Sequence, residues 1–240
     1  MRFTEILNQK TKDNQGTRSP FIAFLGDSVT QGVFEVYEKN NQMKCVFDSM
    51  YGYPEKLREL LAMLWPEAPV SIFNAGVDGS GAPKGWERFQ RDVLPLKPDL
   101  LIVCFGLNDV HYLNEGLSKY KEALHNIFST AKQASIEVIF MTPNMMNTHS
   151  ERVGEGPILA PHGPMFAERQ LNGEFDAYID AARQVCREED VILCDCYAIW
   201  KNMYEKGVDT TALLCNGLNH PTRKMHELFA WQLVHTILNN

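Results

Sequence analysis

Gly26-Asp27-Ser28 ends an apolar run, Phe21-Ile22-Ala23-Phe24-Leu25, and Asn219-His220-Pro221 stands about 190 residues later. A serine hydroxyl is a weak nucleophile until a neighbouring base takes its proton, and imidazole is the commonest such base. Two polar segments lie between them, Asn74-Ala75-Gly76-Val77 and Gly106-Leu107-Asn108-Asp109. Backbone and side-chain amides of this kind can hold the oxyanion of a tetrahedral intermediate. The set suggests acyl transfer by an activated serine, hence a hydrolase.

Each segment also has a plainer reading. Asp27 and Ser28 suit a helix N-cap. Gly76 suits a turn, Asn108-Asp109 a cap on the helix that follows, and His220 before a proline the end of a loop. Position decides between the readings. Five short stretches, Phe21–Leu25, Val70–Phe73, Leu100–Phe105, Glu137–Met141 and Val191–Asp195, are continuously apolar rather than alternating. That is the pattern of parallel strands covered on both faces. In such a sheet ligands bind outside the carboxyl ends of the strands. Ser28, Gly76 and Asn108 lie just past the first, second and third stretches, and His220 precedes the final helical pattern. All four therefore converge on one rim.

Helical patterns separate the strands. Leu57, Leu60, Leu61 and Leu64 recur at helical spacing, with Pro54 suited to a first turn. Residues 86–93 form a short helix stopping before Pro95. Leu117, Tyr120, Leu124, Ile127, Phe128 and Ala131 make one apolar stripe; Phe175, Tyr178, Ile179, Ala182, Val185 and Cys186 make another. A last helix runs from about Thr222. Two long loops are expected, Gly32–Tyr51 and Thr142–Met165. The second, with four prolines and three glycines, is a candidate to shape a substrate pocket.

The 240-residue chain suits one α/β domain, and strand–helix alternation implies right-handed crossovers. A net charge of −7 disfavours nucleic acid as a partner. The six cysteines, at 45, 104, 186, 194, 196 and 215, form no CxxC pair and read as free thiols. No signal-peptide pattern and no stretch of membrane-spanning length is present, so the expected location is the cytoplasm. His149 and His162 lack metal-ligand spacing, and no metal or cofactor is expected. The glycine-rich run 76–81 lacks the ending of a P-loop.

Taken together, Gly26-Asp27-Ser28-Val29-Thr30-Gln31-Gly32, Asn74-Ala75-Gly76, Gly106-Leu107-Asn108-Asp109 and Asn219-His220-Pro221 resemble, in order and spacing, the four blocks of the SGNH subgroup of the GDSL esterase/lipase family. The resemblance runs from about residue 20 to the C-terminus. The Gly-x-Ser-x-Gly elbow of α/β-hydrolases is absent. The expected fold is a three-layer α/β/α sandwich with a central five-stranded parallel sheet, flavodoxin-like, forming a single domain over 1–240. The resemblance implies Ser28 as nucleophile and His220 as base. It also implies an oxyanion hole of the Ser28 and Gly76 N–H groups and the Asn108 side-chain amide. Asp27 braces the serine turn, and His111 is a candidate for the pocket lining.

One departure stands out. The family usually carries Asp a few residues before the histidine, whereas this chain has Asn216 and Gly217 there. Three groups are open as the partner that orients His220: Asn216, a backbone carbonyl, or a distant Asp. Asn216 is the favoured one, since an amide oxygen can accept from Nδ1–H. The expected function is hydrolysis of short acyl, acetyl-type esters of a small molecule or carbohydrate through an acyl-enzyme. The alternatives are a lysophospholipase or thioesterase of the same chemistry, and a non-catalytic binding relative lacking the triad Asp.

Overall fold

A computed structural model describes residues 2–153 and 156–240. In chain order the elements are α1 (Arg2–Lys12), β1 (Phe21–Gly26), α2 (Ser28–Gln31), β2 (Val33–Lys39), β3 (Gln42–Phe47), α3 (Tyr53–Leu64), β4 (Ser71–Gly76), α4 (Ala82–Asp92), β5 (Leu100–Cys104), α5 (Leu113–Gln133), β6 (Glu137–Met141), α6 (His162–Leu171), α7 (Glu174–Glu188), β7 (Ile192–Cys194), α8 (Cys196–Glu205) and α9 (Arg223–Asn239). Short 3-10 turns link several of them.

The main sheet has five parallel strands in the order β4-β1-β5-β6-β7. Counting only its own strands, that is 2-1-3-4-5, the flavodoxin-like order, as expected. The chain leaves β1 to one side to form β4 and returns past it to form β5. The direction therefore switches at β1, where such sheets bind ligands. The register is level there, with Gly26 opposite both Gly76 and Cys104. One rim thus presents the first residues after three adjacent strands. Helices α1, α3 and α9 pack together on one face, and α4, α5 and α7 on the other. Phe24, Leu101, Ile102, Ile139, Phe140 and Trp200 fill the core between them and are fully buried.

The expected 32–51 loop is instead an antiparallel hairpin of β2 and β3, outside the main sheet. Its strands are mostly half-buried or exposed and carry charged residues among the apolar ones, so they lack the buried-strand signature. Asn40 and Asn41 make its turn at φ 54° and 55°, a backbone region that asparagine tolerates. The 142–165 stretch also ends earlier than expected, because Pro161 and Pro164 open α6 rather than prolong a loop. Gly154 and Glu155, inside that stretch, lie outside the described residues. The helix expected from Trp86 begins at Ala82, with Pro83 in its first turn. All six cysteines are free; Cys104, Cys186, Cys194 and Cys196 are buried. Among the described residues no helix is long and apolar enough to cross a membrane.

Candidate active site

Strand β1 delivers Ser28 to the rim as the first residue of α2. Asp27 caps that turn, its Oδ1 accepting from the Val29 N–H at 3.0 Å. The turn is held down by its neighbours. The side-chain amide of Asn74 donates to the Thr30 carbonyl at 2.7 Å, and the Asp78 N–H donates to the Gln31 side chain at 2.7 Å. Beneath them the buried Arg88 guanidinium donates to the carbonyls of Ala75 (2.5 Å) and Gly26 (2.8 Å), fastening the ends of β4 and β1. Gly76 has no room for a side chain. A Cβ there would sit 2.7 Å from the Thr30 carbonyl carbon and 2.8 Å from the Gln31 Cα.

His220 comes from a tight loop closed by an antiparallel bridge between Leu214 and Pro221. Its Nε2 lies 2.9 Å from Ser28 Oγ, and both residues are almost wholly buried. Its Nδ1 lies 2.8 Å from the carbonyl oxygen of Phe34, at the start of β2. A carbonyl can only accept, so Nδ1 carries the proton and Nε2 presents its lone pair to the serine hydroxyl. Burial holds the imidazole below its ordinary pKa; the Phe34 bond and Asp78 act in the opposite direction. The imidazole is therefore neutral at neutral pH, with Nε2 free to accept from the serine hydroxyl.

Asn216, favoured as the orienting group, does not touch the ring. Its Oδ1 accepts from the backbone N–H groups of Leu218, Asn219 and His220 at 2.9–3.0 Å, and its amide donates to the Asn219 side chain at 3.0 Å. It shapes the loop, while the backbone carbonyl, the second of the open options, takes the orienting position. Asp209, the nearest upstream carboxylate, pairs with Arg152 instead.

Gly76 is corrected in the same way. Its N–H already donates to Asn74 Oδ1 at 2.8 Å, so its missing side chain serves close packing, not an oxyanion. Three residues on, Gly79 adopts φ +69°, and a Cβ there would meet nothing within 4 Å. The N–H groups of Gly79 and Ser28 have no protein acceptor among the described residues. Asn108, between β5 and α5, spends one amide hydrogen on the Ser80 carbonyl at 3.2 Å, which ties it to the loop holding Gly79.

The model of the GDSL-like lipase/acylhydrolase family matches residues 24–228, a span that includes Ser28, Gly79, Asn108 and His220. The chain belongs to the GDSL-like lipase/acylhydrolase family. Among curated relatives it is 29% identical over 175 residues to the lipoprotein YqeF of Bacillus subtilis, covering 64% of this chain and 65% of that protein. It is 26% identical over 132 residues to an acetylxylan esterase of Geobacillus stearothermophilus, covering 51% of this chain and 58% of the relative. The chain thus spans about three fifths of the length of these two relatives. Among solved structures, the acetylxylan esterase Axe2 of Geobacillus stearothermophilus superposes with a TM-score of 0.67 at 21% identity, over 91% of this chain and 94% of that one. An α/β hydrolase from the metagenome of Lake Arreo, Spain, gives 0.67 at 20%, over 91% and 96%. These likenesses establish the fold.

In this member of the GDSL-like family a cleft of about 520 Å³ opens beside Gly79 and Asn108. His111 and Tyr112 stand in its wall with Lys84, Glu87, Glu115 and Lys119. The His111 ring packs 4.5 Å from that of Phe166, and burial, with Arg169 and His162 nearby, pulls its pKa down to about 4. Asp109 does not cap α5, the next helix. Its Oδ1 accepts from the Ala82 N–H at 2.8 Å, at the start of α4. Asp27 and Asp109 are both buried, each with an Oδ2 that has no partner among the described residues. Burial raises both carboxyls to about 7, and the charge of Asp109 adds to the effect on Asp27. The 142–165 segment braces the histidine loop. The Asn144 side chain donates to the Asn219 carbonyl and the Asn147 N–H to the Leu218 carbonyl. Among the described residues no group of three or more His, Cys, Asp or Glu side chains is placed to hold a metal ion.

Sequence reasoning missed three participants. Phe34 contributes only its backbone, which no residue type advertises. Arg88 was indistinguishable from a surface arginine of an amphipathic helix. Gly79 had a signal, its place three residues after Gly76 in a run too glycine-rich for an ordinary turn.

Proposed function

We propose that the chain hydrolyses short-chain carboxylic esters, acetyl-type esters on a carbohydrate foremost, through a Ser28 acyl-enzyme. The observation that carries this reading is the relay Ser28 Oγ–His220 Nε2 (2.9 Å) and His220 Nδ1–Phe34 carbonyl (2.8 Å). His220 takes the hydroxyl proton as Ser28 Oγ attacks the ester carbon. The oxyanion is received by the Ser28 and Gly79 N–H groups and the free amide hydrogen of Asn108. His220 then protonates the departing alkoxide. In the second half-reaction it deprotonates water, which attacks the acyl-serine and releases the acid. The Phe34 carbonyl keeps the productive tautomer. It accepts a hydrogen bond as a carboxylate would, without the full negative charge that would stabilise the imidazolium.

Two features support the substrate class. Ser28 is 2% exposed, so the acyl group must enter a confined space, which favours a small one. The cleft beyond has two lysines, two glutamates and an exposed tyrosine, a lining of balanced charge that suits a neutral polyhydroxylated partner. The name of the Geobacillus relative points the same way.

The non-catalytic alternative rested on a missing orienting group, and the Phe34 carbonyl removes that ground. The test is hydrolysis of p-nitrophenyl esters from acetate to octanoate and of acetylated xylooligosaccharides, with Ser28→Ala as control. Turnover highest on acetyl esters and abolished by Ser28→Ala supports the reading. Preference for octanoate moves the chain to the lysophospholipase or thioesterase class. Turnover equal in the variant and the wild type overturns the serine mechanism.

A further inference from the structure

Among the described residues no carboxylate contacts His220 Nδ1, and the ring is aimed by one main-chain oxygen on the first residues of a hairpin. A hairpin outside the main sheet is a poor reference point unless something fixes it. Further along β2, Glu38 accepts from the Ile158 and Leu159 N–H groups; at the first residues, beside Phe34, the fastening side chain is Arg223, first residue of α9 and three residues past His220. Its Nη1 and Nη2 fork the Glu35 carboxylate at 2.6 and 3.2 Å, and its Nε donates to Asp48 at 3.0 Å. Its guanidinium carbon lies 4.3 Å from the centroid of the Phe34 ring. The opposite attachment is His226, one turn along α9. Its ring lies 4.8 Å from that of Phe34, and its Nδ1 accepts from the Tyr53 N–H at 3.0 Å. Phe34 itself is fully buried.

We infer that Arg223, gripping Glu35, Asp48 and the Phe34 ring, is a positioning residue that holds the Phe34 carbonyl on His220 Nδ1 and so does the aligning work a triad carboxylate would do. The inference rests on the proposed Ser28–His220 chemistry. Isolated exposed ion pairs hold little. Here one guanidinium meets a bidentate carboxylate, a second carboxylate and an aromatic face, with side chains only 30–41% exposed. The clamp joins the two segments that must stay in register, Phe34-Glu35 and His220–Arg223. Lysine cannot reproduce it, because an ammonium is a point charge without the planar fork. The charged and titratable groups around the ring are Asp78 from the 76–81 loop and His226 from α9. Neither contacts Nδ1, for which Phe34 is the acceptor.

The test compares Arg223→Gln, Arg223→Lys and the milder Asp48→Asn in the full chain. Loosening the acceptor by about an ångström costs roughly 10²-fold in kcat. Arg223→Gln is therefore expected to lower kcat on p-nitrophenyl acetate by that factor with KM little changed, and Arg223→Lys and Asp48→Asn by less. The acid limb of kcat/KM moves to lower pH, because the imidazolium loses an acceptor. A readout independent of turnover is the downfield proton NMR signal of the His220 Nδ1–H, assigned by its loss in His220→Gln. It should broaden or shift upfield in Arg223→Gln. An unchanged signal and acid limb in a folded Arg223→Gln, or in Asp48→Asn where that variant does not fold, overturns the clamp. Retained turnover in Ser28→Ala instead removes the serine mechanism, while the NMR signal still decides the clamp.

Discussion

Asp27 and Asp109 lie behind the serine and make a sharp test of the structure. Both are buried, both carry an oxygen without a partner among the described residues, and burial raises both to about 7. A carboxyl raised from 3.8 to about 7 binds its proton more tightly in the folded chain than in the unfolded one. Stability from this source is therefore fully present below about pH 4 and is lost as pH rises to about 7, flattening above it. Each pH step in that window is worth about 1.4 kcal/mol per group. From pH 5 to pH 9 one such carboxyl costs roughly 3 kcal/mol, a large share of the ~5–15 kcal/mol by which a domain is stable. Asp109→Asn deletes the titration while keeping an oxygen for the Ala82 N–H, and it also lowers the burden on Asp27. Urea unfolding at unit pH intervals should show the variant gaining on wild type by roughly 3 kcal/mol over that range. The difference between the two proteins reports the Asp109 titration together with its smaller effect on Asp27. A constant difference across pH would mean that Asp109 is not a buried high-pKa carboxyl, and the description of the serine's floor would fail with it.

Further outcomes follow from the site. Asn108→Ala should lower kcat on p-nitrophenyl acetate by about 10²–10³-fold with little change in KM; a change confined to KM would exclude the oxyanion role. Gly76→Ala drives a Cβ into the Thr30–Gln31 backbone and should cost about 1–3 kcal/mol in chemical unfolding, with kcat reduced; wild-type stability would refute the close packing. Tyr112→Ala should raise KM for acetylated xylooligosaccharide several-fold and leave p-nitrophenyl acetate unaffected; equal effects on both would place the sugar elsewhere. In the pH profile, kcat/KM should rise through a midpoint below 6.5, because burial depresses the His220 pKa; a midpoint above 6.5 would contradict the neutral base.

The sequence disclosed what burial on both faces writes into it. The inner strands β1, β5 and β6 were legible because doubly covered strands are unbroken apolar runs, whereas the edge strand β4 alternates exposed and half-buried residues in its first half; the alternation of strands with helices led to the sandwich. The rim residues Ser28, Asn108 and His220 were legible because each follows or precedes such an element in a recognisable motif. The hairpin 33–47 was not, since strands that face water on one side and bear Glu35, Glu38, Lys39 and Lys44 look like a loop. The 142–165 segment was misread as unstructured to its end, because prolines that start a helix and prolines that prevent one are the same letters. Gly76 was credited with chemistry when its absent side chain answers to the backbone of α2, just past the end of the neighbouring strand. Asn216 was credited with touching the ring because proximity in sequence to His220 is visible, whereas an oxygen 186 residues upstream is not.

That oxygen has a consequence for how this protein varies. Every one of the twenty amino acids supplies the same carbonyl, so no single codon change at position 34 can delete the group that aims the histidine. Replacement there alters only how firmly the peptide is seated. Nor can the group gain a proton in any physiological range, so acid inactivates the histidine directly and never by way of its partner. At position 34 itself the orienting group is thus written in chain path rather than in residue identity. What can damage it is loss of the Arg223 grip, or an inserted or lost residue in the short stretch between the serine and the hairpin.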